Sequence, residues 1–166
     1  KASPAAVLAA RSTWTEAAFQ EHRTGAACAA TLQALIACRA PIDLVAMASR
    51  FALDEMVHVE MCARLAQLLG GGAPISYDPK GTIVLPAPEL SPTLAASELV
   101  VRNFCVGEAL SIPILRGSWH ATKQPLIKAV LARIVKDEAA HGAFGWIFLD
   151  WVDDQLSDDD RLHLSK

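Results

Sequence analysis

Apolar residues return every three to four positions through most of this chain, and prolines and glycines break that rhythm at a few places. The pattern predicts four long helices. The first, helix A, runs from Ser3 or Ser12 to Cys38 and stops before Arg39-Ala40-Pro41, because proline cannot continue a helix and restricts the residue before it. Helix B runs from Ile42 to Leu69 and is ended by Gly70-Gly71-Gly72. Helix C starts at Ser91, an N-cap followed by Pro92, and ends near His120. Helix D runs from Gln124 to Gln155, and Ser157 ahead of three aspartates reads as the N-cap of a short fifth helix.

The connections order these helices. A to B and C to D take a few residues each, which forces antiparallel neighbours. B to C takes about 20 residues, from Gly70 to Leu90, and contains Pro74, Pro79, Pro86 and Pro88. Helix B is about 40 Å long at 1.5 Å per residue, and about 20 extended residues span that distance. The expected fold class is therefore all-α: one domain over residues 1–166, two antiparallel hairpins joined by a long B–C crossover into a four-helix bundle, plus the start of a short C-terminal helix.

Composition agrees with a helical core. Alanine and leucine dominate, and 52% of residues are hydrophobic, more than in an ordinary soluble domain. The longest uncharged apolar run, Thr24 to Cys38, is shorter than the roughly 18 residues that a membrane span needs. The net charge of −3, without a basic stripe, argues against nucleic acid as a partner. Cys28, Cys38, Cys62 and Cys105 form no Cys-x-x-Cys, which excludes a zinc ribbon or a rubredoxin-type iron site and suggests a reducing, cytoplasmic setting. The chain begins at Lys1 rather than Met, as expected of a trimmed chain or fragment.

Two phrases carry the chemistry: Asp54-Glu55-Met-Val-His58 and Asp137-Glu138-Ala-Ala-His141. On a helix, residues i and i+3 share a face, so each phrase offers a carboxylate and an imidazole to one point. A four-helix di-metal carboxylate site needs such a pair from each of two helices and a lone Glu from each of the other two. Height along the bundle selects the lone glutamates. Glu21 lies about 18 residues before the A–B turn, and the Glu55/His58 midpoint lies about 17 beyond it; Glu16 is too far by roughly 10 Å. Across the C–D turn, Glu108 matches Glu138 and His141 by the same measure, whereas Glu98 is too far. The expected metal ligands, and the catalytic set, are Glu21, Glu55, His58, Glu108, Glu138 and His141. A lone helical Glu is most often a solvated surface group, but two matched pairs with two matched glutamates are hard to produce by accident. Glu108 also sits in the apolar setting Asn103-Phe-Cys-Val-Gly-Glu, where an unpaired carboxylate would be costly.

The residue before each Glu is Asp, not the His of a zincin protease. Asp54 and Asp137 are expected to accept a hydrogen bond from the non-ligating nitrogen of the His on the other helix. By spacing, Gly25, Cys28, Cys62, Cys105, Ser111 and Gly145 fall on the metal-facing stripe, where small residues serve tight packing or leave room for a small molecule. His22 is about 100° away from Glu21 around the helix and reads as a neighbour rather than a ligand. Trp14, Trp119, Trp146 and Trp151 read as core or interface.

The phrases Glu21-His22-Arg-Thr-Gly-Ala-Ala, Leu53-Asp-Glu-Met-Val-His58, Cys105-Val-Gly-Glu108 and Asp137-Glu-Ala-Ala-His141 resemble the ferritin-like superfamily of di-iron carboxylate proteins, in particular a bacterial ferritin-like domain family of mostly unassigned function. The resemblance covers roughly Trp14 to Trp151. It implies two iron ions as cofactor (Fe/Fe, or a mixed Mn/Fe pair), bridged by Glu55 and Glu138, with Glu21 and Glu108 as terminal ligands and one His on each ion. The chain departs from rubrerythrin in lacking its Cys cluster. It departs from radical-storing reductase subunits in having only Tyr77, in the crossover. Two histidines are more like bacterioferritin or the oxygen-activating enzymes than storage ferritin.

The expected function is a di-iron oxidoreductase that activates dioxygen for oxidation of a small substrate, fed by an external electron donor, with a homo-oligomer as an expected assembly. The alternative is a ferroxidase that handles iron, and a third reading gives the metal a purely structural role. Carboxylate ligands disfavour the third, since structural sites usually close Cys and His around zinc.

Overall fold

A computed structural model describes residues 3–78 and 81–166. Every regular element among them is helical: α1 (Pro4–Ala37), α2 (Ile42–Leu68), α3 (Pro92–Val100), a π-helical stretch (Val101–Gly107), α4 (Glu108–Ala121), α5 (Pro125–Val152), a 3₁₀ turn (Asp153–Gln155) and α6 (Asp158–Leu164). The caps are those the sequence predicts. The Ser3, Ser91 and Gln124 side chains accept from backbone N–H groups of their helices' first turns, each ahead of a proline. Ser157 and Asp160 form a reciprocal capping box on α6. After α1 the chain reverses through Arg39 at φ 59°, with Ala40 N–H reaching back to Leu35 O at 2.9 Å. After α2, Gly70 and Gly71 adopt φ of 108° and 106°, which L side chains rarely do.

Each long helix packs on two others: α1 on α2 and α3, α2 on α1 and α5, and α5 on α2 and the π–α4 segment. The layers along the helices set their directions. One end of the core contains Leu35 and Cys28 of α1, Leu44, Ala48 and Phe51 of α2, Val100 of α3, Phe104 of the π-helical stretch, and Phe144, Phe148 and Val152 of α5. The other end contains Cys62 and Leu65 of α2 with Leu131 and Ile134 of α5. Packing neighbours therefore run antiparallel, and the B–C connection crosses the full height of the molecule, as its length predicts. The crossover lies along α1: Ala73 N–H donates to Thr15 Oγ1 (3.0 Å), Tyr77 stacks on Phe19 at 4.7 Å, and Arg102 donates to Val84 O (2.9 Å). Among the described residues, no helix is long and apolar enough to cross a membrane.

Helix C departs from the expectation of one regular helix, because Val101–Gly107 is π-helical and delivers the chain directly to Glu108. The wider π turn needs space on the facing helix, and Gly145 provides it. A Cβ there would stand 2.7 Å from Cys105 Sγ and 3.0 Å from the Cys105 backbone N. Gly25 plays the same part between α1 and α2, where a Cβ would meet Met56 Cε at 2.5 Å and Glu55 Cβ at 3.2 Å. Tight packing is thus the role of both glycines on the small-residue stripe.

Two substitutions of the same kind should have opposite signs. Gly117 lies in α4 with nothing within 4 Å of a built Cβ, so Gly117→Ala should stabilise by about 0.5–1 kcal/mol through helix propensity. Gly145→Ala gains the same propensity but collides with backbone, and should destabilise by about 1–3 kcal/mol net. Urea unfolding of both variants checks this; equal effects would show that the α5–π contact is not close.

Candidate metal centre

The six residues selected by spacing converge on one layer between the two apolar ends. Glu55, His58 and His141 are fully buried, and Glu108 and Glu138 are 5% and 4% exposed. Glu21 is half-buried. Their ligand atoms form two overlapping groups, Glu21–Glu55–His58–Glu138 and Glu55–Glu108–Glu138–His141, with atoms within 4.8 Å of one another in each. Glu55 and Glu138 belong to both groups. Glu16 is exposed, and Glu98 is held elsewhere by Arg102 and His163, so neither joins the cluster. His22 is exposed, and Tyr77 sits on Phe19 outside the cluster. Cys28, Cys62 and Cys105 are buried free thiols.

The side chains face a shared interior rather than one another. His141 Nδ1 lies 2.9 Å from Glu138 Oε2 and 3.1 Å from Glu55 Oε1, and His58 Nδ1 lies 3.3–3.6 Å from Glu138, Glu21 and Glu55. None of these approaches has hydrogen-bond geometry: both Glu55 oxygens, Glu138 Oε2 and both Nδ1 atoms are buried without a hydrogen-bond partner. Buried polar atoms normally have partners. A convergent set of orphaned carboxylate and imidazole atoms is the donor set of a metal site, and hard oxygen with imidazole nitrogen suits iron or manganese. The residues present could therefore hold a metal ion.

Behind the imidazoles lie two parallel supports. His58 Nε2–H donates to Asp137 Oδ2 (3.3 Å), which also accepts from Arg133 Nε (2.6 Å). Facing it, Asp54 Oδ2 lies 3.8 Å from His141 Nε2 and accepts from Arg50 Nε (3.3 Å). Asp137 thus backs the His of the opposite helix with a hydrogen bond, as expected, whereas Asp54 faces His141 without one, because His141 Nε2 is buried with no hydrogen-bond partner among the described residues; with Nδ1 on a metal, the first contact would keep the His58 proton on Nε2. The arginines were not anticipated. Their signal is an identical spacing, Arg-x-x-x-Asp-Glu-x-x-His, at Arg50–His58 and Arg133–His141. Ser111, on the predicted stripe, donates to Glu108 Oε2 at 2.7 Å.

No protein-family model, curated protein or solved structure matches this chain. The chemistry is read from its own residues.

Electrostatics follow from burial and crowding. Burial raises Glu21 to about 7 and Glu108 to about 8, with neighbouring carboxylates adding to both shifts. Burial alone would also raise Glu55, but the imidazoles of His141 and His58 outweigh it and bring the carboxyl down to about 2. Burial alone would lower the histidines. The surrounding carboxylates outweigh it, led by Glu138, and push His58 to about 12 and His141 to about 10. Without metal, protons therefore hold the cluster together.

The sign of the pH dependence is fixed by these shifts. Glu21, Glu108, His58 and His141 all bind protons more tightly folded than unfolded, so unfolding releases protons and stability falls as pH rises. The window opens near 4.5, the ordinary Glu value, and extends through about 8 for Glu108 and about 10 for His141. The depressed Glu55 acts oppositely, but only below that window. Urea unfolding of metal-free protein at pH 5, 7 and 9 should show a monotonic loss of stability; a flat or rising profile would contradict the burial of these groups.

Proposed function

We propose that this chain is a ferritin-like four-helix bundle that holds two iron ions and acts as a dioxygen-dependent oxidoreductase. The observation that carries the reading is the sharing of Glu55 and Glu138 between the two ligand groups, each completed by one His and one further Glu. Two carboxylates common to both groups suit bridging roles, and Glu21 with His58 and Glu108 with His141 suit terminal ones. When bound, reduced iron would supply the electrons that dioxygen takes up.

The chain's own residues have distinct tasks in this reading. Asp137 orients His58 and keeps its Nδ1 turned inward, and Asp54 faces His141 Nε2 across 3.8 Å. Arg133 holds Asp137 ionised, its carboxyl lying below its usual range because Arg133 and His58 outweigh its partial burial, and Arg50 donates to Asp54 Oδ2. Ser111 fixes one oxygen of Glu108. The apolar layers on either side, with Phe51 packed on His141 at 4.3 Å, restrict water. A cavity borders Glu108 and gives a small molecule a route to the edge of the cluster.

The decisive experiment loads metal-free protein with Fe(II) anaerobically, counts the bound iron and then admits dioxygen. About two irons per chain and a transient or persistent ferric absorbance are expected. Glu55→Ala and Glu138→Ala should each abolish binding of the pair, and no uptake, or uptake indifferent to both variants, would sink the assignment. Sustained turnover of Fe(II) without any organic substrate would instead favour the ferroxidase reading.

Loading should also release protons, since His58 and His141 must become neutral and Glu21 and Glu108 ionised. In weakly buffered solution near pH 7, roughly three protons per chain should appear, and apparent affinity should weaken steadily as pH falls. Asp137→Ala should lower iron affinity by about 10–100-fold, and Asp54→Ala by less, given its longer reach to His141. Competition with a chelator measures both.

A further inference from the structure

Glu108 is both a member of the buried cluster and part of the wall of a cavity of about 270 Å³. The cavity lies between α1 and the π–α4 segment and is roofed by the crossover. Its polar lining includes Arg23, Thr24, Asn103 and Ser111, and its apolar lining includes Ala27 and Val84. Two arginines line it, and they differ. Arg102 is committed: one arm donates to Val84 O and the other pairs with Glu98, so it anchors the roof and its charge is matched. Arg23 is half-buried, and among the described residues its guanidinium makes one hydrogen bond, to the neutral Gln20 Oε1 at 3.1 Å. Among the described residues it has no carboxylate partner.

A half-buried guanidinium without a counter-ion, beside a cavity with hydroxyl and amide groups, is a receptor for a planar anion, because its donor fork matches a carboxylate. Volume sets the size: at about 30 Å³ per water-sized group, the cavity holds roughly nine non-hydrogen atoms. One unmatched cation sets the charge at a single negative. The apolar wall sets the remainder of the molecule. A second cavity, of about 290 Å³, reaches Glu108 from between α4 and α5, but its arginine, Arg116, is exposed and ordinarily solvated.

Resting on the di-iron reading above, we propose that the substrate is a small monocarboxylate with an apolar body, its carboxylate held by Arg23 and its apolar end directed toward Glu108. Arg23 is then a specificity-determining residue and not a metal ligand.

The test is calorimetric titration of the iron-loaded protein, kept anaerobic, with hexanoate, benzoate and phenylacetate, and with hexan-1-ol and inorganic phosphate as controls. At least one of the acids should bind at one site per chain, more tightly than hexan-1-ol or phosphate by about tenfold or more. Arg23→Ala should weaken that binding by about tenfold or more, Ala27→Leu should block it by filling the cavity, and Arg116→Ala should leave it unchanged. Iron content, measured on every variant, should stay at the wild-type value. Absence of binding by all three acids, equal binding of the alcohol, preference for phosphate, or dependence on Arg116 in place of Arg23 would each overturn the proposal. Its failure is separable from failure of the metal reading: normal iron uptake without acid binding rejects the substrate class alone, whereas Arg23-dependent acid binding by a chain that takes up no iron rejects the metal and leaves the receptor.

Discussion

Four carboxylates and two imidazoles sit in one layer of an apolar helical core, and the remainder of the structure answers to that fact. Moving a single ionised carboxylate out of water is prohibitive unless opposite charge travels with it. The layer meets this demand by crowding. Each imidazole has carboxylates on one ring nitrogen and an arginine-backed aspartate near the other, so protons or metal cations are retained where the carboxylates converge. Helices are the suitable scaffold, because they satisfy their own backbone groups and leave every side-chain polar atom free to face the centre. Removing one cluster member would leave the others with uncompensated buried charge, which makes the layer cooperative rather than a sum of contacts.

Convergence also demands close approach. Glu and His reach only a few ångströms from their backbones, so the helices carrying them must come near one another at that level and cannot be held apart by bulky neighbours. Gly25 beside Glu55 and Gly145 against the π stretch answer this need one turn from Glu21 and His141. Below the layer the problem reverses, and Phe51, Phe104 and Phe144 fill the space, with centroids 5.0–5.5 Å apart. The helices thus approach closely beside Glu55 and at the π stretch, and the rings fill the neighbouring space.

Much of this was legible in the sequence because it depends on spacing along single helices. Glu-x-x-His at i and i+3, a serine cap before proline and the antiparallel geometry of a short turn are local facts, and a fixed rise per residue converts them into heights. That is why Glu21 and Glu108 could be told from Glu16 and Glu98. What escaped depends on contacts between helices. The π stretch before Glu108 leaves no mark in the periodicity of Asn103-Phe-Cys-Val-Gly, since it is made possible by a glycine some 40 residues away. Gly145 was visible as a small residue on the right stripe, but not as the reason the facing helix could widen. The arginines were hidden differently: Arg50 and Arg133 look like ordinary surface charges until the aspartates beside them are found behind the opposite histidines.

The repeated spacing Arg-x-x-x-Asp-Glu-x-x-His gives α2 and α5 equivalent equipment, and yet the two halves are not equivalent. The support behind His58 is tight, with Arg133 to Asp137 at 2.6 Å and Asp137 to His58 at 3.3 Å. The support behind His141 is loose, with Arg50 to Asp54 at 3.3 Å and Asp54 to His141 at 3.8 Å. Glu21 and Glu108 also differ, but in the opposite sense, since Glu108 is the more buried and the hydrogen-bonded one. Glu21 stands between α1 and α2, near the pinch at Gly25, whereas Glu108 follows an irregular turn, accepts from Ser111 and borders two cavities. Symmetry in sequence supplies two matched Glu-x-x-His pairs in one layer, and the π turn before Glu108 breaks that symmetry by setting Glu108 against two cavities while keeping it buried.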